Sequence, residues 1–158
     1  MTDARALRSA GSFALLLGFL LAGCVTRPTA EVEGVRVLNT TDEAAVLAFT
    51  VVATNTGETE LPLRLVDYTL SIEGERVFRG RRSAEATLSR KDRQSVELPV
   101  PIVWDDLPVR EVRYRLRGKL GYTLPGIFWS AMFDAGLYRP DAEFEFEGTL
   151  DASDLAGG

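Results

Sequence analysis

The side chains that chemistry could use are few and poorly grouped. Asp105 and Asp106 are adjacent carboxylates, the raw material for half of an acid/base pair or a metal site. They precede Leu107-Pro108, and Asp at that place in a turn serves the backbone. Glu143, Glu145 and Glu147 recur at a period of two. On a strand that period strings them along one outward face, which does not enclose a calcium ion. Arg79, Arg81 and Arg82 offer cations to a phosphate, but their setting reads as the solvated end of a hairpin. Histidine is absent and Cys24 is the single cysteine. This removes His-based dyads and triads, Cys/His zinc sites and an intrachain disulfide. Gly34, Gly57, Gly74 and Gly80 are isolated, so no phosphate-cradling loop is present. No catalytic residue, metal ligand or cofactor is expected, and the chain reads as a non-enzyme.

The charge balance narrows the partners. The 158 residues carry 18 Lys and Arg against 23 Asp and Glu. A nucleic-acid binder would be expected to be basic, so nucleic acid is not an expected partner. The basic residues nearest the start, Arg5 and Arg8, precede the apolar run Ser12–Leu21. That run is shorter than the roughly 20 residues a spanning helix needs, and it ends in Leu21-Ala22-Gly23-Cys24. A charged region, a short apolar core and small residues before one Cys make a secretory leader. The last four residues resemble the bacterial lipobox. The resemblance implies cleavage before Cys24 and lipidation of its thiol; several acyl chains then make a stable anchor, at ~0.8 kcal/mol per buried CH₂. Val25, with no Asp in its place, is similar to the sorting pattern for outer-membrane delivery, facing the periplasm.

Loss of Arg5, Arg8 and Asp3 with the leader leaves 16 basic and 22 acidic side chains, a net of −6. Such a body is not expected to lie flat on anionic lipid. The tether Val25–Ala30 spans only about 20 Å at ~3.3–3.6 Å per residue, which keeps the domain near the membrane.

The elements that would position these groups are strands. Val46–Thr54 alternates Leu47, Phe49, Val51 and Ala53 against Thr50 and Thr54, the pattern of a half-buried strand. Before it, Glu31–Leu38 places Val35 and Val37 on one face. After it, Asn55-Thr56-Gly57 makes a turn, with Gly57 able to take positive φ. Leu61, Leu63 and Leu65 share one parity, while Val66, Tyr68, Leu70 and Ile72 share the other. That phase change predicts a β-bulge or bend near Leu65–Val66. Glu73-Gly74-Glu75 closes a hairpin into Arg76–Phe78, and Ala84, Ala86 and Leu88 mark a short strand. Val96, Leu98, Val100 and Ile102 alternate with Pro99 and Pro101, whose missing N–H groups predict a sheet edge. Val112, Tyr114, Leu116 and Leu120 point inward from a strand whose outward stripe is Arg113, Arg115, Arg117 and Lys119. Phe144, Phe146 and Leu150 form a second inward face, opposite the glutamates. Antiparallel pairing of these strands predicts a charge ladder and therefore no free basic patch.

Gly121–Arg139 sits between those two strands and is rich in large apolar side chains. Tyr122, Leu124, Ile127, Phe128, Trp129, Met132 and Phe133 are the candidate contacts for a partner or a lipid. Trp129, Met132 and Phe133 fit one face of a short helix after Pro125-Gly126. Such a long loop is either folded on itself, here as a plug closing the sandwich, or functional, here as an apolar lip.

Short strands separated by turns predict an all-β antiparallel sandwich. The order of pieces resembles the LEA type 2 or WHy (water stress and hypersensitive response) family. The matching pieces are Val51-Val52-Ala53-Thr54-Asn55-Thr56-Gly57, Leu61-Pro62-Leu63, Val66-Asp67-Tyr68-Thr69-Leu70, Gly74 with Gly80, Tyr114–Gly118 and Phe144–Gly148. Thr56-Gly57 departs from the Pro-Asn that the family prefers. The resemblance implies an immunoglobulin-like sandwich of about seven strands and a role in desiccation or stress tolerance, or as a binding or scaffold module. It implies no catalytic residues. The expected organisation is a lipoprotein signal peptide (1–23), a lipidated tether (24–30), the sandwich (31–150) and a flexible tail (151–158). The expected partners are the membrane, through lipid on Cys24, and an envelope protein or lipid. The rival expectation is a lipid-binding or envelope transport accessory using residues 121–139.

Cys24→Ala is expected to leave the precursor uncleaved or to release the protein from the membrane fraction. Unchanged globomycin sensitivity together with unchanged membrane partition would contradict the lipidation of Cys24.

Overall fold

The computed structural model describes residues 26–103 and 111–150. The leader and Cys24, the connector with Asp105 and Asp106, and the tail from Asp151 lie outside the described residues. Alternating apolar side chains give the strands β1 (Thr29–Thr40), β2 (Ala44–Asn55), β3 (Leu61–Ile72), β4 (Glu75–Ser83), β5 (Thr87–Leu88), β6 (Asp92–Val103), β7 (Val112–Tyr122) and β8 (Asp141–Leu150). One short helix, α1 (Ile127–Asp134), lies between β7 and β8. The strands form two antiparallel sheets, β1-β2-β6 and β4-β3-β7-β8, with β5 pairing the start of β3. Their dry faces meet in one core, β1 lies against β8, and β6 lies against β4. The sandwich therefore has eight strands among the described residues, where about seven were expected.

β2 is the centre of the smaller sheet. Leu47, Phe49, Val51 and Ala53 are at most 1% exposed, as their period predicts. Ala48 and Val52 on its other face are buried as well. Arg36 of β1 and Glu97 of β6 reach across that face and meet at 2.6 Å, and Arg93 pairs with Glu33 in the same way. Small side chains on β2 leave room beneath these crossings. Val35 and Val37 do share a face, the inner one opposite Phe49 and Leu47, yet on this edge strand they stay 38% and 40% exposed. β6 is an edge strand, with Pro99 opposite Ala48 and Pro101 opposite Val46. A strand lacking two N–H groups on one side can end a sheet but not continue it.

The phase change in β3 is a bulge. Leu63 pairs with Tyr122 and Val66 with Leu120, so β3 uses one residue more than β7. Leu61 and Leu63 stay buried, Val66 to Ile72 alternate inward, and Leu65 is turned out to solvent. The β3–β4 loop is Glu73-Gly74, both at positive φ (48° and 88°), as a two-residue hairpin requires. β4 runs on to Ser83, so Arg79, Arg81 and Arg82 stand along an edge strand rather than at a hairpin end.

In the larger sheet the inner face carries a row of alternating glycine and ring. Gly80, Tyr68, Gly118 and Phe144 are neighbours across β4, β3, β7 and β8. A Cβ on Gly80 would come within 2.7 Å of the Tyr68 ring, and one on Gly118 would overlap Phe144. Tyr114 likewise covers Gly148 on the neighbouring strand. The Tyr68 hydroxyl donates to the Pro99 carbonyl at 2.8 Å, tying the larger sheet to the edge of the smaller. Burial pushes its pKa up, and Arg82 opposes the shift.

Gly118→Ala is expected to destabilise by about 1–3 kcal/mol, because Phe144 must leave its place over the glycine. Gly34→Ala, where nothing lies within 4 Å of the added carbon, is expected to be close to neutral. Equal urea midpoints for the two variants would contradict this inner-face packing.

Candidate functional site at the chain-entry end

One end of the sandwich gathers the start of β1, the β2–β3 loop, the β5–β6 loop and the β7–β8 segment. Asn55 organises it. The side chain is buried, and its amide donates to the carbonyls of Thr59 (2.7 Å) and Ser89 (3.0 Å). Its Oδ1 accepts from the Gly57 N–H at 2.9 Å. A fourth bond, from the Lys91 N–H to the Gly57 carbonyl, joins the two loops directly. Gly57 does not take positive φ. Close approach fixes it instead: an added Cβ would stand 3.1 Å from Asn55 Oδ1 and 3.2 Å from Thr26 Cβ. The incoming chain thus runs over this turn. β1 begins at Thr29, and Pro28 and Ala30 are already buried, so the last residues of the expected tether belong to the sheet.

The segment 121–139 divides in two. Tyr122 and Leu124 are buried and close the core, as a plug would. The Thr123 N–H donates to the Pro62 carbonyl and the Tyr122 N–H to that of Pro140, so this part continues the sheet. Burial raises the Tyr122 pKa, and the Arg27 guanidinium nearby opposes the shift. From Gly126 the character changes. Gly126 takes φ 109°, and the helix it opens has no buried residue and no side-chain cap. Ile127 is 91% exposed and Phe128 64%. Trp129 lies between Phe128 and Tyr138, with ring centroids 5.1 and 5.4 Å away. Met132 and Phe133 are half-buried. The Phe133 ring has Arg64 at 5.5 Å and Arg139 at 5.7 Å, both as cation–π contacts. Arg139 also donates from Nε to the Phe133 carbonyl. The expected helix is present, and Trp129, Met132 and Phe133 turn toward the body only partly. Tyr138 and Leu137 (72% exposed) extend the apolar surface.

The charged candidates on β7 and β8 are paired locally. Arg115 pairs with Glu147, Arg117 with Glu145 at 2.9 Å, and Lys119 with Glu143 at 2.6 Å. Arg113 lies 4.0 Å from Glu73. The ladder expected between β7 and β8 is present in that register. Its hydrogen bond to Lys119 holds the Glu143 carboxyl below its ordinary pKa and raises that of Lys119. Arg81 pairs with Asp67 at 2.6 Å. Open grooves of about 560 and 620 Å³ lie on this polar outer face, not between the sheets. Among the described residues, no group of three or more Asp, Glu, His or Cys is placed to hold a metal ion. Also among them, no helix is long and apolar enough to cross a membrane.

Asn55, Arg64 and Arg139 were not singled out from the sequence as part of this end. Asn55 could have been found as a lone polar residue continuing a buried parity. Arg64 and Arg139 carry no local pattern that points to Phe133.

No protein-family model and no curated protein matches the sequence. Solved structures do. The solution structure of AT1g01470 from Arabidopsis thaliana matches with a TM-score of 0.61 at 16% identity, over 80% of this chain and 83% of that one. At2g46140.1, a protein assigned to the late embryogenesis abundant (LEA) class, matches with a TM-score of 0.62 at 16% identity, over 92% and 88%. A protein from Archaeoglobus fulgidus matches with a TM-score of 0.52 at 12% identity, over 77% and 97%. At such identities the likeness is one of fold, and at that level the resemblance read from the sequence holds: the chain folds as an LEA-type antiparallel β-sandwich.

Proposed function

We propose that the chain is a non-enzymatic, lipid-anchored protein of the bacterial cell envelope, held through Cys24 in the outer membrane and facing the periplasm. In this reading its LEA-type sandwich protects against desiccation and related stress, or serves as a binding or scaffold module in the same place. The observation that carries it is the pairing of that fold with a leader ending in Leu21-Ala22-Gly23-Cys24. The absence of histidine from the sequence supports the lack of catalysis, since the commonest general base is missing.

A second reading is favoured by one observation, the exposure of Ile127 and Phe128. It is a lipid-binding or transport accessory that holds an acyl chain against residues 121–139. Native mass spectrometry separates the two, because only the second expects a stoichiometric lipid beyond the covalent one.

Deletion of the protein from its host is expected to lower survival of drying. Wild-type protein is expected to restore survival and Cys24→Ala is not. Undiminished survival of the deletion strain would contradict the protective role. Restoration by Cys24→Ala would contradict the need for the anchor.

A further inference from the structure

We propose that α1 is a second membrane contact, lying in the interfacial zone of the same bilayer that holds the acylated Cys24. The inference rests on the lipid anchor proposed above and adds a surface and an orientation to it. The placement of the chain entry comes first. Thr26 packs on Gly57, and Arg27 lies near enough to Tyr122 to act on its hydroxyl. Tyr122 closes β7, a few residues before α1. Cys24 is two residues from Thr26, at most about 7 Å of chain. A lipid on Cys24 therefore emerges at the end of the sandwich where α1 stands.

The chemistry of α1 suits that place. Its sequence is Ile-Phe-Trp-Ser-Ala-Met-Phe-Asp, and none of it is buried. Eight residues make only about 12 Å of helix, too short to span a bilayer but enough to lie in its surface. The only charge is Asp134, in the last turn, so Ile127, Phe128 and Trp129 form the immersed part. Trp129 and Tyr138 are the side chains that favour the headgroup level. Behind them Arg64 and Arg139 flank Phe133, with Arg64 Nε buried and Arg139 Nε donating to the Phe133 carbonyl. The two cations add positive charge beside the apolar helix, which favours anionic headgroups on that side. The net charge of −6 on the body turns the rest of the domain away from anionic lipid. A protein partner would also cover an apolar helix, but it would not require the anchor to emerge beside it.

The test uses the full-length protein, processed in its host, purified and reconstituted into phosphatidylethanolamine–phosphatidylglycerol vesicles. Trp104 is replaced by Phe, which leaves Trp129 as the only tryptophan. Lipids brominated high on the acyl chain are expected to lower Trp129 emission by about twofold, with little quenching by acrylamide, as for an interfacial residue. Ile127→Glu with Phe128→Glu is expected to abolish the bromolipid effect while the thermal unfolding curve holds. Trp129 open to acrylamide and blind to bromolipid would overturn the proposal. Trp129 shielded from both would overturn it in favour of a protein partner or a second copy. Mass spectrometry of the same sample reads the anchor separately. An acylated Cys24 with unquenched Trp129 rejects the helix contact alone, and an unmodified Cys24 with quenched Trp129 rejects the anchor alone.

Discussion

Large rings on neighbouring strands compete for the space above one sheet, and the larger sheet resolves the competition with glycine. Tyr68 lies between Gly80 and Gly118, and Phe144 lies beside Gly118 on the far side. A slip of one residue would turn these rings into water and bring Arg117 or Glu145 into the core. The outer face enforces the same register by charge, through Arg115, Arg117 and Lys119 against Glu147, Glu145 and Glu143. Exposed ion pairs add little stability each. Their role here is to make wrong registers costly, while burial of Phe49, Leu70, Leu116 and their neighbours supplies the driving force.

Once that register is set, the ends of the sandwich are set too. β7 stops opposite the start of β3, β8 begins beside β7, and β1 enters next to the Asn55 turn. The segment between β7 and β8 has to sit at that end, whatever its composition. Tyr122 and Leu124 close the core, after which the chain has no more core to cover, and α1 is left outward. The proposed membrane contact follows from this geometry and from the short reach between Cys24 and Thr26.

Much of this was legible in the sequence because strands report their faces directly. The parity of Leu47 to Ala53, the break near Leu65, the two prolines of β6 and the opposed stripes of β7 and β8 each have a local physical cause. What was not legible depends on distant partners. Val35 and Val37 share one face as expected, opposite Phe49 and Leu47, but their strand is an edge and leaves them 38% and 40% exposed. Gly57 reads as a positive-φ turn, whereas the Asn55 side chain and Thr26 dictate it by proximity. The division of 121–139 into a buried plug and an exposed helix turns on how much core remains to be covered. No periodicity within an eight-residue helix could reveal that. Cys24 stands apart, since its role rests on a leader outside the described residues.

The end-on arrangement makes the plainest demand on experiment. A fluorophore on Glu75→Cys, the only free thiol once Cys24 is acylated, marks the β3–β4 hairpin at the opposite end from α1. β3 has 12 residues, so the hairpin should stand about 35–45 Å above the bilayer at ~3.3 Å per residue. Energy transfer from that fluorophore to an acceptor lipid is expected to give this distance in reconstituted vesicles. A distance under about 20 Å, half the length of the strand, would mean that the sandwich lies on its side and would contradict the arrangement.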